Sequence, residues 1–383
     1  MKIFERILYR IRKFFTFLTA RGLVPFLLLL SAPLRRSRKI NFERCAEPEK
    51  VLVSFLGRGL GDCIYMGAAL GAIRRRFQNA RITLAVLSHH ELYFRGNPFL
   101  DRLIACPDYE QNFPHNLLRF LASAPRELGQ KARFDLLLDL CPSLALEPAL
   151  WSFFIPCHFS IGTGDSLKRL FYDAPVSIDW NRHFYEAILE GLRPLGIRNQ
   201  KPEFWVPAGA SLSGLIPEDF MKEKTVIIAP GGKRNVEAPK DYCWIFEGFG
   251  EVVKSLLERG IKIILTGAAY DRAVADTLKP HPLMLDLVGK TSIPQVFTLV
   301  KECAQLVVCN NSGLLHIACA LDIPSVSYAD PQENMLRWGP YPAGPKHLWL
   351  QDQTNRKVRT KEFLEAVLKQ LGDYAVRPES YRK

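Results

Sequence analysis

The stretch VLVSFLGRGLGD, residues 51–62, decides how this chain is read. Val51 to Leu56 is a short apolar run with β-branched residues, as a strand buried on both faces requires. Gly57 to Gly61 breaks it, and Ile64 to Phe77 then reads as a helix ending in Arg74, Arg75 and Arg76, cations that suit the negative end of a helix dipole. Ile82 to Leu87 and Phe134 to Leu140 are further apolar runs. Alternation of this kind predicts a parallel, doubly wound sheet.

The pattern restarts after Lys201 to Asp219, a stretch rich in Pro, Gly and Ser that reads as a linker. Strands are predicted at Thr225–Ala229, 261–266, 305–309 and 325–328. Helices are predicted at 244–259, 293–301, 313–321 and 360–371. A chain of 383 residues exceeds what one hydrophobic core normally supports. The reading is therefore an α/β chain with two Rossmann-like domains facing a central cleft. Its parts are a basic N-terminal arm (1–45), a first domain (46–205), a linker (206–218), a second domain (219–345) and a helical tail (346–383).

The formal net charge is +12, which favours anionic partners. Much of it lies in the arm, where Met1 to Lys39 carries ten Lys and Arg residues against the single acid Glu5. No RNA- or DNA-binding signature accompanies it. Ile3, Ile7, Leu8, Ile11, Phe14, Phe15 and Leu18 recur at helical spacing between cations, the pattern of a helix lying in a membrane interface or of an amphipathic helix docked on the protein. The apolar run from Leu23 to Leu34 is too short to span a bilayer, and reaches spanning length only when extended back to Phe14 across Arg21, so lying on the membrane and crossing it both stay open. Nine scattered cysteines without Cys-x-x-Cys argue against a disulfide framework or zinc ribbon and fit a reducing cytoplasm. A protein peripheral on the inner face of the cytoplasmic membrane is the resulting expectation.

Three clusters carry candidate chemistry. The first is Gly57 to Asp62, with Arg58, Gly59 and Gly61 as a loop able to approach a ligand. A dinucleotide fingerprint would end in Gly where Asp62 stands, and the next strand ends in Ser88-His89-His90 without the acid that binds a ribose. Asp62 at a helix start is either an N-terminal capping acid or a base for a substrate hydroxyl. The second cluster is Pro230, Gly231 and Gly232 followed by Lys233, Arg234 and Lys240, which suits a diphosphate and equally reads as a solvated basic loop. The third is Asn310-Asn311-Ser312-Gly313-Leu314-Leu315-His316, where a helix start offers free N–H groups. His316 fits either a ligand or a satisfied core histidine. The sequence has no Asp-x-Asp triplet, no P-loop and no His-Glu-x-x-His.

In this order and spacing the clusters resemble glycosyltransferase family 9, the family of ADP-heptose:lipopolysaccharide heptosyltransferases. Residues 51–62 and 75–82 are similar to the opening of that family. Ala229 to Gly232, Lys240-Asp241-Tyr242, Leu265-Thr266-Gly267, 287–291 and Asn311-Ser312-Gly313-x-x-His316 are similar to its later segments. The resemblance spans roughly residues 50 to 342. It implies a GT-B fold and an inverting, metal-independent single displacement without a bound cofactor. By the same resemblance Asp62 is the base. Arg58, Gly59 and Gly61 lie on the acceptor side. Pro230, Gly231, Gly232, Lys240, Gly267, Asn311, Ser312, Gly313, Leu314 and His316 hold the nucleotide sugar, ADP-heptose. The implied acceptor is a phosphorylated lipid or oligosaccharide, and no nucleic acid is implied. The sequence departs from the family at Asn311, where the family has an acid, at Tyr242, where it has Trp, and in the added arm. Left open are a GT-B enzyme with another donor, a non-catalytic membrane-bound relative and, more distantly, an NAD oxidoreductase.

Overall fold

A computed structural model of the chain describes residues 47–57, 59–108, 119–123, 133–142, 145–164, 166–198, 200–223, 225–231, 246–329, 335–351 and 359–374. The first sheet contains β1 (Lys50–Phe55), β2 (Arg81–Leu87), β3 (Arg102–Cys106), β4 (Phe134–Asp139), β5 (Cys157–Thr163) and β6 (Ala174–Val176). Its order is β3-β2-β1-β4-β5-β6, every pair parallel. Central β1 pairs Val51 with Ile82 on one side and with Leu136 on the other. Enclosed in this way, all but its first residue are buried, which explains an apolar run without alternation.

The second sheet contains β7 (Thr225–Ala229), β8 (Ile263–Leu265), β9 (Met284–Asp286), β10 (Ala304–Asn310), β11 (Ser325–Ala329) and β12 (His347–Gln351). Its order, β12-β11-β10-β7-β8-β9, repeats the winding of the first. Two parallel-sheet α/β domains follow, as the sequence predicts.

The longer helices are α1 (Leu60–Arg76), α2 (Glu147–Phe153), α3 (Phe184–Leu192), α4 (Phe246–Glu258), α5 (Ile293–Cys303), α6 (Gly313–Ala320) and α7 (Thr360–Tyr374). Helix α5 starts with a capping box, in which Ser292 Oγ accepts from Gln295 N and Gln295 Oε1 accepts from Ser292 N. Strand β12 pairs with β11, and α7 packs on α4 and β10. The segment read as a separate tail from 346 thus supplies a strand and a helix to the second domain. It does so because the apolar residues Phe363, Val367 and Leu371, on one face of α7, complete that domain's core.

One apolar core crosses the boundary between the domains. It joins Val51, Val53 and the inner face of α1 to Leu314, Leu315, Ile317 and Ala318 of α6. Helix α1 is buried from Cys63 to Ile73 because the first sheet lies on one side and α3 and α6 lie on others. Its arginines do more than face the dipole: Arg74 donates to Ala80 O (2.7 Å) and pairs with Asp101, and Arg75 pairs with Glu203. The described cysteines are all buried, and none of them is in a disulfide.

Candidate active site

Each sheet reverses its winding between its first and fourth strands, at β1/β4 and at β7/β10. Ligands of open α/β sheets bind beyond the carboxyl ends of the strands at such points. Both predicted glycine clusters stand there.

At the first point the chain leaves β1 through Gly57 and enters α1 at Leu60, so Asp62 is the third residue of the helix. Its Oδ2 accepts from Gly59 N at 3.3 Å, and the carboxyl is only half-buried. A Cβ on Gly59 would stand 3.0 Å from that oxygen, so glycine leaves room for the carboxylate. Across from it β4 ends at Asp139, fully buried, which accepts from the Tyr172 hydroxyl and from Cys141 N. Burial and this neighbouring acid push the Tyr172 hydroxyl well above its ordinary range. Buried Lys168 donates to Cys141 O at 2.9 Å. Gly162 and Gly164 permit this arrangement, because a Cβ on either would strike the Tyr172 ring or the Lys168 stem.

At the second point Pro230 and Gly231, both buried, follow β7. Asn310 at the end of β10 donates through Nδ2 to Pro230 O (3.2 Å) and Gly231 O (3.4 Å), tying the two strand ends together. Asp271 lies beneath this loop, and a Cβ on Gly231 or Gly267 would meet its carboxyl at 1.9 or 2.8 Å. Its Oδ2 accepts from Ala268 N at 2.8 Å, and burial pushes its carboxyl upward. Asn311 and Ser312 are half-buried, and Ser312 caps α6 without a side-chain bond to it.

The two points meet. A Cβ on Gly61 would stand 2.1 Å from His316 Cδ2, and one on Gly313 would stand 3.1 Å from Leu60 Cβ. The starts of α1 and α6 therefore touch across the domain boundary. Leu314 is buried in the shared core. His316 is buried, with Nδ1 hydrogen-bonded to the Tyr65 hydroxyl at 2.9 Å. Burial, with His183 nearby, pushes its pKa down to about 3. The structure thus seats this predicted ligand residue at the domain junction.

Arg58, Gly232 and Lys240 lie outside the described residues, as do Tyr242 and the N-terminal arm. Among the described residues no helix is long and apolar enough to cross a membrane. No group of three or more His, Cys, Asp or Glu side chains among them could hold a metal ion. A cavity of about 760 Å³ opens elsewhere, between α3, the connector at 198–202 and Tyr341. None of the glycine-loop residues lines it, so we place the site at the strand ends.

Sequence reasoning missed Asp271 and Arg337. The signal for Asp271 was a capping acid four residues after Gly267. Arg337 gave no motif, yet its guanidinium is buried and donates to Pro142 O of the first domain at 3.3 Å.

The family model described as glycosyltransferase family 9 (heptosyltransferase) matches residues 122–367. The chain belongs to glycosyltransferase family 9. The matched stretch begins after the Gly57–Asp62 loop and includes the whole second glycine region. The chain is similar to lipopolysaccharide heptosyltransferase 2 of Salmonella typhimurium, 24% identical over 57% of this chain and 58% of that one. Its likeness to the Escherichia coli K12 protein of the same name is 22% over 60% of each. The chain thus matches about three-fifths of the length of these relatives. Among solved structures, a family 9 glycosyltransferase from Veillonella parvula overlays with a TM-score of 0.69 at 19% identity, covering 86% of this chain and 98% of that one. An E. coli heptosyltransferase solved with ADP overlays with a TM-score of 0.63 at 19% identity, covering 84% and 99%. These overlays establish the GT-B fold that family membership implies.

Proposed function

We propose that this family 9 chain is an inverting, metal-independent glycosyltransferase that moves heptose from ADP-heptose to a lipopolysaccharide core or related glycolipid. The observation that carries the reading is the direct contact of the two glycine regions, Gly61 on His316 and Leu60 on Gly313, which sets Asp62 beside the second domain's helix start. In this reading the second domain holds the nucleotide sugar and the first holds the acceptor. Asp62 takes the proton of the acceptor hydroxyl as its oxygen attacks the anomeric carbon. The bond from that carbon to the diphosphate breaks on the opposite face, and ADP leaves with the electron pair. Lys240, the Gly231–Gly232 backbone and the N–H groups at Gly313 offset the charge that develops on the diphosphate. Metal independence is read from the lack of an Asp-x-Asp triplet in the sequence. The basic arm, with its helical apolar spacing, fits a protein peripheral on the inner face of the membrane, where a phosphorylated lipid acceptor resides.

The donor is tested by thermal shift with ADP-heptose, UDP- and GDP-sugars and NAD. Stabilisation by ADP-heptose alone is the expected result. Stabilisation by another nucleotide sugar replaces the donor, and none from any of them removes the catalytic reading.

A further inference from the structure

Arg337 is 2% exposed and belongs to the short helix Met335–Trp338 of the second domain. Its guanidinium carbon lies 4.6 Å from the Trp180 ring centre, 5.3 Å from that of Phe184 and 5.4 Å from that of Trp338. Phe184 and Trp338 stack on each other with centroids 5.0 Å apart. Trp180 and Phe184 are residues of the first domain, so the cation is seated in a slot built by both. Taking a guanidinium out of water is costly, and an apolar residue of similar volume would fill such a slot at less expense. A charge kept there in spite of that cost points to a specific duty.

Its hydrogen bond shows where that duty lies. Pro142, the acceptor, is in the turn after β4. Two residues earlier, Leu140 N donates to Ser54 O of β1, and Ser54 Oγ accepts from Ser152 Oγ. Strand β1 runs directly into Gly57 and Asp62. Arg337 thus grips, from the second domain, the turn that flanks the base. The carboxylates whose charge acts on it are Asp62, Glu190 and Asp179, with Asp62 the strongest, against the desolvation that pushes the guanidinium down. Glu190 already accepts from Arg182 and from Asp179 N.

We infer that Arg337 is a positioning residue for sugar transfer: it clamps the β4 turn beside Asp62 to the second domain, so that base and donor are aligned only while the domains are docked. The inference rests on the function proposed above, and the seat among three aromatic rings suits a planar, weakly hydrated guanidinium.

The test compares Arg337→Ala and Arg337→Lys with the parent chain, measuring transfer, donor KM and thermal melting. Misplacing a base by about 1 Å costs on the order of 100-fold in rate. Arg337→Ala should lose about that much kcat with donor KM nearly unchanged. Guanidinium chloride at non-denaturing concentration should restore a measurable part of it, and Arg337→Lys should fall between the two. Unchanged kcat in Arg337→Ala overturns the inference. So does a loss that neither lysine nor guanidinium relieves in a protein that melts as the parent does, or a loss carried by donor KM. Asp62→Asn run alongside separates the two claims. If Asp62→Asn is inactive while Arg337→Ala is active, only the clamp fails. If Asp62→Asn is active, the base assignment fails first.

Discussion

Gly61 has no side chain because the ring of His316 occupies the space that one would fill. Helix interiors ordinarily gain about 1 kcal/mol from Ala over Gly. Here the Cβ would stand 2.1 Å from His316 Cδ2, and the ring is held by Tyr65, so neither partner has room to yield. Overpacking of this kind costs about 1–3 kcal/mol. Gly61→Ala should therefore lower stability in urea unfolding, and an unchanged or raised midpoint would show that the two helix starts do not touch as described. At this scale the sequence was partly legible. Asp62 and the glycines around it announced themselves because a turn after a strand needs residues that permit close approach. For His316 the sequence left two roles open, since nothing local says that Tyr65, 251 positions away, supplies its hydrogen bond. Arg337 was invisible for the same reason: Pro142, Trp180 and Phe184 come to it only through the fold.

At the scale of elements, the central strands were read nearly to the residue. Val51–Leu56 and Thr225–Ala229 lie in the middle of their sheets, and burial on both faces writes itself as a continuous apolar run. The outer strands β3, β6, β9 and β12 escaped notice. They are short and only partly buried, so their sequences alternate weakly or not at all. Strand β5 escaped because its run CHFSIGT carries polar residues, with Ser160 bonded to Asp173. Helix α1 was expected to begin at Ile64, yet it starts at Leu60, inside the apparent glycine loop. The glycines that resembled a breaker are there for contact with α6 and Asp62, and the helix accommodates them. The strong core pattern of α7 was legible as a helix, while its place in the second domain was not, because that depends on Phe363 and Val367 meeting a core built elsewhere.

For the whole molecule, the junction between the domains carries two buried histidines. His183 donates through Nε2 to Gly339 O (3.2 Å) and stacks on Tyr341, and burial, opposed by that bond and aided by Arg337, pushes it down to about 4. His316 is pushed down to about 3. Both values lie below the ordinary 6.5, so protons bind the unfolded chain more readily than the folded one. Their contribution is complete above about pH 6.5 and is lost as pH falls towards about 4 for His183 and about 3 for His316, at up to about 1.4 kcal/mol per pH unit for each. The melting temperature should fall over that window, and less steeply in a His183→Gln/His316→Gln variant. His347, buried in the second sheet and also pushed to about 4, keeps a residual slope in that variant. An equal slope in parent and variant would remove the histidines from the account.

The proposed sugar transfer across the two docked domains turns on Asp62 as its base. Its most direct test is the release of ADP from ADP-heptose in the presence of a lipopolysaccharide core acceptor, measured for the parent chain and for Asp62→Asn. Asparagine keeps the shape and the acceptor for Gly59 N but takes no proton. Donor-induced thermal stabilisation should be equal in both proteins, with transfer by Asp62→Asn lower by at least about 100-fold, the lower range for a general base. Transfer by Asp62→Asn within a few-fold of the parent would contradict it.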